Sequence, residues 1–229
     1  MDLKLVLDNY LRENPSSIEG TRVRPAKEGV YSDFPSTLNP RLASALQANG
    51  IKNLYSHQAK AFDEVSKGNN VVIVTPTASG KTLCYNLPVV NTLLDNPDLK
   101  AIYLFPTKAL AQDQTKELNQ LLSSIQGNNG LRVYTYDGDT PQSLRQSIRT
   151  KGQIIITNPD MLHSGILPNH PKWIKIFEKL KYVIIDEIHT YKGVFGSHFA
   201  NLMERLSRIA AYYGGNIQFV TCSATIANP

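Results

Sequence analysis

At 229 residues, 41% of them hydrophobic and 19% charged, the chain has the make-up of an ordinary globular protein, long enough for one sizeable domain and short for two with independent cores. Its net charge of +5 favours an anionic partner without naming one. Cys84 and Cys222 stand far apart and belong to no Cys-x-x-Cys pair, so neither a zinc site nor a disulfide framework is expected.

Residues 2–13 place Leu3, Val6, Leu7, Tyr10 and Leu11 at helical spacing, which predicts a short amphipathic helix. The first residues lack the apolar core and cleavage site of a signal peptide, and no apolar stretch nears the roughly eighteen residues that span a bilayer. A cytoplasmic protein with no membrane contact is the expectation. From residue 14 to about 35 the pattern breaks into Pro, Ser, Gly and charged residues, so 1–34 read as an accessory helix with its connector and 35–229 as the domain. Residues 40–48, stopped by Gly50, and 58–67, stopped by Gly68, read as helices.

Short β-branched runs then alternate with helical patterns, at 71–74, 101–105, 132–136, 153–157, 182–185 and 218–222. Near-continuous apolar strands separated by helices predict a doubly wound α/β fold, a mostly parallel sheet with helices on both faces. Every run ends in a short polar stretch. In an open parallel sheet these tips share one edge, where ligands bind. Six such tips are more than a small ligand needs, and a second, elongated ligand is the natural occupant of the remainder.

The first tip is Thr75-Pro76-Thr77-Ala78-Ser79-Gly80-Lys81-Thr82. Polyphosphate is best met by backbone N–H groups at a helix N-terminus, one cation and one hydroxyl that can ligate magnesium. Gly80 lets the backbone approach, with Thr77, Ala78 and Ser79 lining the loop; Lys81 can reach the β- and γ-phosphates of ATP, and Thr82 offers its hydroxyl to Mg²⁺. The first glycine of the Gly-x-x-x-x-Gly-Lys-Thr pattern is Thr75 here, and Ser-Gly-Lys-Thr alone reads equally as a polar loop. About a hundred residues on, the apolar run 183–185 ends in Asp186-Glu187-Ile188-His189. Adjacent carboxylates closing a buried strand are costly unless a cation or catalysis compensates. Asp186 is therefore read as holding Mg²⁺ through water and Glu187 as deprotonating the attacking water, which makes Lys81, Asp186 and Glu187 the catalytic set. The competing reading is a surface turn with solvated acids.

Farther along the edge, Thr107, Lys108 and Gln112 begin a helix, Thr157, Asn158 and Pro159 open another, and Asp139 tips the third run. Such residues at helix N-termini suit phosphate oxygens of a nucleic-acid backbone, without sequence readout. Thr107 and Asn158 also read as plain N-caps. Trp173, with Ile174, Ile176 and Phe177, reads as helix packing, whereas Phe195 reads either as packing or as part of the polymer edge.

These motifs in this order resemble the first RecA-like domain of superfamily-two helicases, the DExH-type motors, over residues 35–229. Tyr55-Ser56-His57-Gln58 is similar to their Q motif, which implies a glutamine amide reading the adenine edge; Tyr55 is then an adenine contact or a buried anchor, and Phe34 a further stacking candidate. Lys81 and Thr82 fall in motif I, Thr107, Lys108 and Gln112 in motif Ia, and Asp186 to His189 in motif II. Ser223-Ala224-Thr225 matches motif III, which implies that His189, Ser223 and Thr225 couple hydrolysis to movement on nucleic acid. Residues 189–198 more narrowly resemble DNA-repair helicases of the mitomycin repair factor A type. That resemblance implies an ATP-dependent 3′-to-5′ helicase working on single-stranded or partly duplex DNA with repair proteins as partners. It also implies a second RecA-like domain with arginine fingers and a zinc-binding C-terminal domain, for which these 229 residues hold no counterpart. The chain is accordingly read as one domain of a longer protein that turns over ATP weakly by itself. An RNA helicase domain and a non-catalytic nucleotide-binding regulatory module are the alternatives.

Overall fold

The computed structural model describes residues 3–15, 28–76, 79–128 and 130–224. Residues 1–30 and 31–229 form two units. In the first, helix α1 (Leu3–Glu13) matches the predicted amphipathic segment, and Val6, Leu7 and Tyr10 are exposed. Most of the predicted connector lies outside the described residues.

The second unit opens with strand β1 (Tyr31–Ser32), which pairs antiparallel with β2 (Leu54–Tyr55). Two residues carry no periodicity, so neither strand is visible in the sequence. Between them runs α2 (Pro40–Ala48), started by the Asn39 side chain accepting from Arg41 N–H and by Pro40 with its preset φ. Helix α3 (Ser56–Ser66) follows, then β3 (Val71–Val74), α4 (Lys81–Asp95), β4 (Lys100–Leu104), α5 (Lys108–Ser124), β5 (Val133–Thr135), α6 (Gln142–Lys151) and β6 (Ile154–Thr157). A short α7 (Pro159–Met161), irregular helical turns and α8 (Ile174–Phe177) lead to β7 (Leu180–Ile185), α9 (Gly193–Tyr212) and β8 (Gln218–Ser223).

All six longer strands are parallel, in the order β3-β8-β7-β4-β6-β5. The chain steps one way from β3 through β4 to β5 and returns through β6 and β7 to β8. Right-handed crossovers therefore put α4 and α5 on one face and the helices after β5 on the other. Side-chain alternation agrees. Ala101 and Tyr103 of β4, with Tyr182 and Ile184 of β7, join a core with Leu42, Phe62, Leu87 and Leu118. Ile102, Leu104, Val183 and Ile185 face the opposite core, with Phe177, Leu202 and Leu206. Strands buried on both sides must be apolar at every position, which is why these runs are nearly unbroken. The predicted doubly wound sheet is therefore present. One detail differs from the sequence reading: β3 is an edge strand with a single neighbour, so Val72 is exposed rather than buried.

Candidate functional site

The parallel sheet lays the polar tips in a row. Along the edge stand the loop after β3, Ser223, the acidic pair, the Thr107 cap, Asn158 and finally Asp139. Backbone bonds hold neighbouring tips together: Thr75 N–H to Ser223 C=O at 3.3 Å, Asp186 N–H to Leu104 C=O at 3.1 Å, Phe105 N–H to Thr157 C=O at 3.0 Å and Tyr136 N–H to Ile156 C=O at 2.8 Å. At about 4.8 Å per strand, six tips span roughly 24 Å. That is room for a nucleotide at one end and several units of a polymer at the other.

At the β3 end, Gly80 takes a left-handed conformation (φ 75°) and caps α4, whose first N–H groups have no partner within the helix. The loop is held from behind by the start of α3. His57 Nε2 lies 3.0 Å from Ser79 C=O, Gln58 Nε2 donates to Gly80 C=O at 2.8 Å, and Gln58 Oε1 accepts from Tyr55 N–H at 2.9 Å. Within the loop, the Thr75 and Ser79 hydroxyls are 2.7 Å apart, and Lys81 Nζ donates to the carbonyls of Thr75 and Pro76 at 3.1 and 3.3 Å. Thr77 and Ala78 lie outside the described residues. Gln58 is buried, so any purine it reads must use its second N–H and second lone pair.

Beside Gln58 and Gly80 opens a cleft of about 470 Å³, also lined by Lys52, Leu83, Tyr55 and Tyr31. Tyr31 stacks on Tyr55 at 5.0 Å, and Tyr55 on His57 at 5.6 Å. Tyr55 is thus a half-exposed plate rather than a buried anchor. Phe34, a stacking candidate by sequence, packs against the core instead, and the more exposed aromatic at the cleft is Tyr31, which the sequence reading did not single out.

Two strands along, β7 is buried up to Ile185, and Asp186 follows half-buried. Desolvation pushes the Asp186 carboxyl above its usual range, and the nearby Glu187 charge adds to this; the Glu187 N–H, donating to Asp186 Oδ1 at 2.8 Å, and the Tyr85 hydroxyl oppose it. Glu187 is the one non-glycine residue with positive φ (49°) among the described residues. Such a backbone costs about 1–2 kcal/mol and persists where its surroundings fix it. Here Thr190 N–H and Oγ1 both donate to the Glu187 carbonyl. Glu187 Oε2 is buried without a hydrogen-bond partner. His189 Nδ1 lies 3.1 Å from that oxygen and 3.1 Å from Ser223 Oγ, with hydrogen-bond geometry only toward the serine. Among the described residues no three His, Cys, Asp or Glu side chains form a metal cluster. A cation here would have one carboxylate, Asp186, and one hydroxyl, Thr82, and would draw its other ligands from water and phosphate, a donor set that fits magnesium.

The far end is mixed. Thr107 is exposed and caps α5 by accepting from Leu110 N–H at 3.3 Å, and Asn158 caps α7 by accepting from Met161 N–H at 2.8 Å, so the N-cap reading holds for both. Gln112 is exposed on α5. Thr157 departs from expectation: it is 1% exposed and its hydroxyl donates to Tyr136 C=O at 2.6 Å, so it serves the sheet rather than a ligand. Pro159 is buried apart from the wall it lends to a separate cleft of about 360 Å³, shared with His163, Phe195, His198 and Arg205 and remote from the phosphate loop. Trp173 is core, as expected, with its ring edge-on to Tyr136 at 4.7 Å. Ser223 is buried, and Thr225 lies outside the described residues.

Lys108 Nζ meets Asp139 Oδ2 at 2.6 Å, so two residues expected to touch nucleic acid neutralise each other. Replacing Asp139 by Asn should free the ammonium for a phosphate. Anisotropy titrations with a single-stranded oligonucleotide at several salt concentrations should then show tighter binding and a log–log salt slope steeper by about 0.7.

A parallel sheet with a lysine-bearing loop on one strand and adjacent carboxylates two strands away is the layout of a phosphate-loop nucleotide-binding domain, and residues 55–229 match the family model described as DEAD/DEAH box helicase. The chain belongs to that family. It is 51% identical to the uncharacterized ATP-dependent helicase YprA of Bacillus subtilis (strain 168), over 96% of this chain and 29% of that protein. To the ATP-dependent helicase hrq1 of Schizosaccharomyces pombe it is 43% identical, over 93% of this chain and 21% of the other. The crystal structure of the DUF1998 helicase MrfA bound to DNA and AMPPNP aligns with a TM-score of 0.87 at 50% identity, over 96% of this chain and 31% of that one. The similarity to the mitomycin repair factor A type is thereby shown, and the chain spans less than a third of the length of these three proteins.

Proposed function

We propose that the chain is the ATP-hydrolysing motor domain of a DNA helicase acting in DNA repair. What carries this reading is the order of the sheet edge: the phosphate loop, Ser223 and the acidic pair sit on adjacent strands, and the capped helices continue the row. Backbone N–H groups of α4 and the Lys81 ammonium would take the β- and γ-phosphates. Thr82 and Asp186 would hold Mg²⁺, which when bound neutralises charge on the transferred phosphoryl group. Glu187, next to Asp186 at the end of β7, would accept the proton of the attacking water. His189, between Glu187 and Ser223, would link that event to β8. At the other end, Thr107, Lys108, Gln112 and Asn158 would follow a phosphate backbone, with single-stranded or partly duplex DNA as partner.

DNA rather than RNA is favoured because the structure of MrfA, at 50% identity, is one bound to DNA. Movement 3′ to 5′ follows from the resemblance alone. A second RecA-like domain would supply arginine fingers worth about three to five decades in rate. The test is steady-state ATP hydrolysis without polymer, with ssDNA and with ssRNA, by this chain and by one extended past Pro229. We expect slow turnover by the 229 residues and, in the extended chain, stronger stimulation by ssDNA. Greater stimulation by ssRNA would replace DNA with RNA as the substrate; no hydrolysis by either chain would overturn the enzymatic reading.

A further inference from the structure

Tyr85, on α4 one turn past Lys81, has no part in the proposed chemistry, yet its hydroxyl is fully buried between two functional elements. It lies 3.0 Å from Gln114 Oε1 on α5 and 3.4 Å from Asp186 Oδ2 at the tip of β7. A buried hydroxyl costs free energy unless bonded, and packing alone would be served by phenylalanine. The ring is fixed: Tyr103 meets it edge-on at 5.7 Å and is itself anchored by its hydroxyl donating to Asn86 Oδ1 at 3.0 Å. Gln114 is held as well, its Nε2 donating to Glu117 Oε2 at 3.1 Å, which keeps Oε1 turned to the tyrosine.

A phenol has one proton to give, and here two acceptors face it. Asp186 belongs to the acidic pair, whereas Gln114 sits on the helix whose N-terminus carries Thr107 and Lys108. We infer that Tyr85 is a positioning residue that couples the nucleotide site to the polymer edge by sharing its proton between Asp186 and Gln114. The inference rests on the proposed function. An Asp186 engaged by a cation competes less for the proton, so the hydroxyl bonds Gln114 fully and α5 is held in place. A shift of α5 that lengthens the Gln114 contact turns the proton to Asp186 and changes the carboxylate available to the nucleotide site. By linkage the effect is equal in both directions.

The test uses Tyr85→Phe and Gln114→Met, which keep ring and volume, with melting curves to show that both fold. A fluorescent ssDNA oligonucleotide is titrated with and without AMPPNP and Mg²⁺, and nucleotide affinity is measured alone. In the unaltered protein we expect nucleotide to change oligonucleotide affinity at least about fivefold, and in either variant by no more than about twofold. The double variant should be no worse than the singles, because one contact is removed once. Wild-type coupling in Tyr85→Phe or in Gln114→Met overturns the inference, as does an unaltered protein with no coupling. An unaltered protein that binds no nucleotide fails the proposed function itself, and that outcome is distinct because coupling is then never reached.

Discussion

Replacing Glu187 by Gln should lower ATP hydrolysis by about 10²–10⁴-fold while nucleotide binding stays close to that of the unaltered protein. The amide is nearly the same size, so the left-handed backbone at 187, fixed through its own carbonyl by Thr190, need not change. Nor does the substitution break a hydrogen bond at Oε2, which has none. What disappears is the basicity of a buried carboxylate oxygen beside His189. Hydrolysis should be followed with ssDNA present, beside the affinity for a fluorescent nucleotide. A variant that hydrolyses ATP at the original rate would remove Glu187 as the base and leave the edge as a binding site. A variant that loses nucleotide as well would show that Glu187 builds the site rather than acts in it.

Residue 187 also marks where sequence reasoning stops. Its place beside Asp186 at the end of a buried strand was legible, but its strained backbone was not, because nothing in Asp-Glu-Ile-His demands positive φ. The strands were legible for a related reason: burial on both faces leaves no polar position to blur the runs. Their order was not. Adjacency of β3, β8 and β7 follows from long-range crossovers, and no local pattern reports it. Thr157 and Asn158 show the limit at one-residue scale: both are polar at the end of the same strand, yet one bonds the neighbouring strand and the other caps a helix. Phe34 and Tyr31 show it for aromatics, where the tertiary packing decides which ring is covered. Tyr85 was unreadable for the same cause, since its partners lie on α5 and β7.

Gly80→Ala is expected to cost about 2–4 kcal/mol, summing a left-handed alanine with the loss of up to two buried hydrogen bonds. Its backbone sits at φ 75°, and a Cβ there would come 2.7 Å from Gln58 Nε2. Gln58 cannot swing aside freely, because it is buried and joins Tyr55 N–H to the Gly80 carbonyl. At roughly 2–4 °C per kcal/mol for a domain of this size, the melting temperature should fall by about 5–15 °C. Nucleotide affinity should fall too, since the loop held by that amide is the one that would cradle phosphate. The two causes separate in a double-variant cycle with Gln58→Ala. That change alone removes both hydrogen bonds and the obstruction, so Gly80→Ala made on top of it should add only the backbone cost, about 1–2 kcal/mol. If the glycine substitution costs as much without the glutamine as with it, the contact between Gln58 and the loop is not what makes a glycine necessary at position 80.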